Sequence, residues 1–215
     1  MRTKSLFLMA AVAAAGIIST SAQVFSVNVV GFVNTVIRGN GQFTLVSNPL
    51  QNTTNTLDVL FADAPQGTTV YKFVSGAYVN AVKIPGLGIF SATVTVVPGE
   101  AVFVLSPAGS ANFTNVFVGE VQQGLLTNSL PVGFSLVSSR VPQPGSISQL
   151  GYTNAVAGDQ IFKFNGTAYD SFSYVPALSS WTGAAGLVEP QITVGEGFWF
   201  NKTTAGNWVR NFVSQ

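Results

Sequence analysis

Short apolar and polar runs alternate along most of the chain, and Gly, Pro, Asn and Ser interrupt them at intervals of roughly ten residues, the rhythm of strands joined by tight turns. Apolar residues in every second place mark a strand with one wet face, and short unbroken apolar runs mark a strand covered on both. "VYKFVSGAYVNAV" (70–82) reads as two strands about Ser75-Gly76, and "IFKFNGTAYDSFSY" (161–174) as two about Asn165-Gly166. Asn-Gly tolerates the positive φ angles of a type I′ hairpin. "AVFVL" (101–105) and "FWF" (198–200) are unbroken and each follows a Gly-Glu turn, whereas "NFTNVFV" and "NWVRNFV" alternate. "NTLDVLF" (55–61) and "GSISQL" (145–150) each suit one helical turn, with Thr56 and Ser146 placed to cap free N–H groups. The expected fold class is all-β, with little helix.

The pattern is written twice. "FTLVSNPL" (43–50) returns as "FSLVSSRV" (134–141), Tyr71-Lys72-Phe73 as Phe162-Lys163-Phe164, and Ala77-Tyr78 as Ala168-Tyr169. Gly99-Glu100 and Val102-Phe103-Val104 return as Gly195-Glu196 and Phe198-Trp199-Phe200, and Asn112-Phe113 as Asn207-Trp208. Val30-Gly31 and Val33 match Val118-Gly119 and Val121. Order is kept throughout, so a unit of about 90 residues occurs in tandem. The expected domains are a signal segment at 1–22, a β repeat at 23–117 and a second at 118–215. No Pro/Ser/Gly-rich linker separates them. Each repeat is expected as a small barrel or sandwich, the two packed about a pseudo-two-fold axis.

The leader stands apart. Arg2 and Lys4 precede an apolar run from Leu6 to Ile18, and Thr20 and Ala22 suit a cleavage site before Gln23. That is the layout of an export signal, and the run is too short to span a bilayer as a helix. The expected location is periplasmic or extracellular, with no membrane span in the mature chain. Residues 23–215 contain no His, Cys or Met, and seven basic side chains face eight acids. No cationic surface invites nucleic acid by counterion release. With no disulfide, stability must come from burial, which a chain of this length can supply.

"FSLVSSRVP" (134–142), "IFKFNGTAY" (161–169) and "VGEGFWF" (194–200) resemble a group of uncharacterised secreted β-proteins of environmental bacteria. That group pairs a "FSLVSNPL"-type segment with a "VYKFNGTAY"-type hairpin and a "PGEGFFV"-type strand. A looser similarity is to the "GWNLIS…PGKGYWV" pattern of large bacterial exoproteins. The resemblance covers nearly all of the mature chain, implies an exported β-module and carries over no catalytic residue. The first copy departs from it with "PGEAVF" (98–103), and the second lacks proline before Gly195.

Candidate chemistry is sparse. Without His or Cys, the usual nucleophile triads and zinc sites cannot be built, so no metal or cofactor is expected. A carboxylate pair of the glycosidase kind would have to come from Asp159, Asp170, Glu189 and Glu196, and no spacing singles one out. Lys72/Lys163 and Glu100/Glu196 recur in both copies, which suits structural ion pairs or carboxylates accepting N–H bonds at the Gly-Glu turns. Trp181, Trp199 and Trp208 stand where the first copy has Phe90, Phe103 and Phe113, which favours packing. Trp181 with Tyr174 and Tyr152 is the expected ligand surface if there is one. Together these residues predict a non-enzymatic exported protein, structural or adhesive, at the cell envelope or in the extracellular matrix. A carbohydrate-binding module is the alternative. Its partners would be an extracellular glycan or further copies of itself.

Overall fold

A computed structural model describes residues 29–214; the leader expected at 1–22 lies outside them. The first half holds β1 (Val30–Ile37), β2 (Phe43–Ser47), one helical turn α1 (Leu57–Leu60), β3 (Thr69–Val74), β4 (Ala77–Val82), β5 (Ala101–Leu105) and β6 (Phe113–Glu120). The second holds β7 (Gly124–Leu130), β8 (Gly133–Val137), β9 (Gly145–Ser146), β10 (Gln160–Phe164) and β11 (Tyr169–Val175). It continues through β12 (Ser180–Gly183), β13 (Gly186–Leu187), β14 (Gln191–Ile192), β15 (Phe198–Lys202) and β16 (Gly206–Phe212). The protein is all-β and built of several sheets, none closed into a barrel. Among the described residues no helix is long and apolar enough to cross a membrane.

All the strand pairs are antiparallel. In the first half β2-β5-β3-β4 form one sheet and β1-β6 a separate ribbon; in the second, β8-β15-β10-β11-β12-β13 form a sheet and β7-β16 a ribbon. Side-chain alternation then explains the unbroken apolar runs. Val102 and Val104 of β5 enter a core beneath the β1-β6 ribbon with Val33, Ile37, Val70 and Phe117. Ala101 and Phe103 point to the other face. In β15, Phe198 and Phe200 enter the second core with Ile161, Trp181 and Trp208, while Trp199 faces the opposite way. A strand buried on both faces has no wet position to fill with a polar residue.

Those opposite faces meet. Leu45, Ala101 and Phe103 of the first half form a third cluster with Leu136 of the second, with Tyr71, Phe73, Phe164 and Trp199 packed around it. Backbone bonds cross there as well: Ser47 N–H donates to Gly195 O (2.9 Å) and Ser138 N–H to Gly99 O (2.9 Å). The Ser47 hydroxyl donates to Ser138 Oγ (2.9 Å), which donates to Glu196 O (2.7 Å). Gly197 is required at this seam, because a Cβ there would overlap the Ala101 methyl.

Several local expectations change. Ser75 and Gly76 both take positive φ (50° and 87°), but at the second hairpin only Gly166 does. There Asn165 to Ala168 form a four-residue loop, because Asn165 Oδ1 accepts the N–H groups of Thr167 (3.2 Å) and Ala168 (2.9 Å). Segment 145–150 begins as β9 paired with β14 and then turns, so it is not a helical turn alone. Thr56 occupies the cap position of α1, but its hydroxyl bonds Thr54 Oγ1 (3.3 Å) and caps no helix N–H. Residue 118, expected to open the second repeat, lies inside β6, and Gly31 sits directly opposite Gly119. Ile37 lies opposite Phe113 in one ribbon, and Asn128 opposite Trp208 in the other.

Candidate functional site

The expected ligand surface is not a surface. Tyr152 is 2% exposed and Trp181 3%, both inside the second core. Tyr174, half-buried, packs its ring on Trp181 at 5.5 Å between centroids. No ring face of Tyr152 or Trp181 remains for a sugar to stack on. These aromatics supply buried area instead.

The duplicated charges pair within each half. Lys72 Nζ lies 2.7 Å from Glu100 Oε2, and Lys163 Nζ lies 3.1 Å from Glu196 Oε1. Each carboxylate also closes its turn: Glu100 accepts the Val97 N–H (2.9 Å) and Glu196 the Thr193 N–H (2.8 Å). Gly99 and Gly195 take φ of 95° and 78°, which lets the chain reverse tightly enough to bring each carboxylate back. Two further candidate acids are similarly engaged. Glu189 accepts the Ser148 N–H and hydroxyl (both 2.9 Å), and Asp170 accepts from Asn165 Nδ2 (3.2 Å).

Asp159 is fully buried and ion-pairs with Lys202, which is also buried. The Tyr152 hydroxyl accepts from Lys202 Nζ (2.7 Å) and donates to Asp159 Oδ2 (3.2 Å). Val156 N–H (3.0 Å) and Thr203 N–H (3.1 Å) fill the remaining acceptor positions. Burial, and then the negative Asp159, hold the Tyr152 phenol well above its ordinary pKa. A buried charge of this kind persists only when paired and hydrogen-bonded. The cluster is sealed from solvent, so its arrangement supports a structural role. Among the described residues no three His, Cys, Asp or Glu gather to hold a metal ion.

Sequence reasoning missed what lies open between the halves. A groove of about 330 Å³ is lined by six side chains, all aromatic: Phe43, Tyr71, Tyr78, Phe103, Phe164 and Tyr169. β2, β3, β4 and β5 supply the first four, and β10 and β11 the last two. Tyr71 stands opposite Phe103, and Phe164 opposite Tyr169, so strand register fixes which rings share a face. Phe103 is the buried floor. Phe43 (41% exposed), Tyr78 (49%) and Tyr169 (45%) form the rim.

The groove rings do not lie flat. Phe43 tilts 57° to Tyr71 and stands edge-on to Phe103 at 88°, and Phe164 tilts 50° to Tyr169. Partial burial, with repulsion from Tyr169, raises the pKa of Tyr78. Among the described residues, no charged side chain lines the groove. Among the described residues, no protein group bonds to the Tyr71, Tyr78 or Tyr169 hydroxyl. The signal that could have found the site is one of parity: Phe43, Tyr71, Phe73 and Phe103 all fall on the strand face opposite the first core.

A second opening of about 770 Å³ includes Lys72, Glu100 and Arg140 in its lining. Its charges are already engaged: Lys72 also bonds Thr95 O (2.8 Å), and Arg140 bonds Thr127 O (2.8 Å) and Gln122 Oε1 (3.0 Å). Comparison with known protein families, curated proteins and solved structures finds no significant match, so the geometry carries the functional argument.

Proposed function

We propose that this is an exported, non-enzymatic β-protein of the cell envelope or extracellular matrix, and that it attaches to its surroundings through the aromatic groove. One observation carries the reading: six aromatic side chains with no charge among them line a groove open between the two halves. Binding sites are typically concave and apolar with a few polar groups to orient the ligand, and three phenols supply those here. The export segment at 1–22 and the resemblance to secreted β-proteins agree with this placement.

In the same reading the halves are copies of one unit, related by a pseudo-two-fold axis near Ser47 and Ser138. Support comes from the order β2-β5-β3-β4 beside β8-β15-β10-β11, and from the reciprocal bonds to Gly195 and Gly99. The repeated "LVS" phrase then has a physical meaning, since it places a serine against its own counterpart.

To test the proposal, the protein would be localised by cell fractionation, and the purified protein re-bound to washed envelope and matrix. The expected result is an exported protein whose retention falls at least tenfold in Tyr78→Ala/Tyr169→Ala. An intracellular protein, or undiminished retention, overturns it. The outward face of the β1-β6 ribbon favours a second reading, self-association, because Phe32, Val36, Val116 and Val118 are exposed there. Sedimentation that stays monomeric as concentration rises removes that one.

A further inference from the structure

Resting on the reading of the groove as the attachment site, we propose that its ligand is a neutral glycan, held through one or two sugar rings above Phe103. The chemistry of the lining selects this class. A sugar ring offers C–H faces to aromatic rings and hydroxyls to phenols, and the groove presents both, with three phenol hydroxyls to which no group among the described residues bonds. The absence of charge in the lining argues against uronates, sulfated sugars and phosphates, which would lose hydration and gain no counter-charge. A volume of about 330 Å³ lies at the small end of the roughly 300–1,000 Å³ typical of ligand sites, which suits roughly two sugar rings.

Shape narrows it further. Rings tilted by 50° to 88° to one another make a trough and not a flat platform, so the site suits a single glycan chain and not the face of a crystalline polymer. An alkyl chain fits less well: with rim side chains nearly half exposed, it would remain partly in water, and the phenol hydroxyls would stay unused.

The duplicated sequence provides an internal comparison. Phe103 corresponds to Trp199, Phe43 to Phe134, and Phe164 to Phe73. At the corresponding position the larger indole of Trp199 packs on Phe73 at 4.7 Å, Phe134 at 5.9 Å and Tyr78 at 6.3 Å. The architecture therefore accommodates an indole where the groove has the Phe103 ring.

The test uses the purified full-length secreted protein. Probes are neutral gluco-, manno-, galacto- and xylo-oligosaccharides, matching uronate oligomers, and lauric acid. Variants are Phe103→Trp, which imports the ring tolerated at the corresponding position, and Tyr78→Phe/Tyr169→Phe, which removes hydroxyls and keeps the rings. The expected result is binding of at least one neutral oligosaccharide, weakened at least tenfold by Phe103→Trp and severalfold by the double Phe variant. Should Phe103→Trp not fold, Tyr78→Ala/Tyr169→Ala carries the same expectation. Lauric acid binding that Phe103→Trp abolishes, with no oligosaccharide bound, overturns the glycan and leaves the groove as the site. Preference for uronates overturns neutrality. No probe bound, or glycan binding unchanged in every variant, overturns both.

Discussion

Lys202 lies beneath the second sheet, its ammonium on Asp159 and the Tyr152 hydroxyl and within 5.4 Å of the Tyr152 ring centre. Lys202→Ala would leave Asp159 buried without its counter-charge, and we expect a loss of about 3–5 kcal/mol in urea unfolding. A loss below about 1 kcal/mol would show that water reaches the site. Tyr152 gives a pH signature. Its pKa is raised in the folded state, so the unfolded chain ionises first, near pH 10. The folded state then binds more protons, and stability falls as pH rises above about 10. Tyr152→Phe should flatten that alkaline decline in melting temperature, and an unchanged slope contradicts the assignment. The Glu196 pair is partly wet, so Glu196→Gln should cost only about 1 kcal/mol. An unaltered melting temperature would mean that the turn holds itself. The Lys72 and Lys163 pairs were legible in the sequence because they are written twice. Lys202 was not, because its first-half counterpart is Ser106 and a single lysine carries no pattern.

At the scale of elements, β5 and β15 decide the architecture, because each serves a core on one face and the seam on the other. Their burial on both sides was legible in "AVFVL" and "FWF". Parity separates Phe103 and Trp199 from their strand neighbours, but what covers their face, the other half of the chain, was not legible. The same ambiguity misplaced the ligand surface: Tyr152 and Tyr174 have no counterpart in the first copy and Trp181 stands with them, yet Tyr152 and Trp181 complete the second core. The seam itself is testable through Gly197. Gly197→Val would press a branched side chain into Ala101, Leu45 and the Val46 carbonyl, and we expect a loss of about 2–3 kcal/mol. The outcome that contradicts this is near-wild-type stability, which would show that the strands there can part freely.

In the whole molecule, the two halves stabilise one another through the aromatic seam. The third cluster draws on both, and the crossing bonds at Ser47 and Ser138 are buried with it. Trp181, Trp199 and Trp208 all belong to the second half, so tryptophan fluorescence reports on that half while far-ultraviolet circular dichroism reports on both. Urea unfolding followed by the two signals on one sample is the most direct measurement. If the halves form one cooperative unit, the curves coincide with a single midpoint and slope. If the dichroism curve splits, or the tryptophan transition separates from it, the halves fold independently and the seam is only a contact.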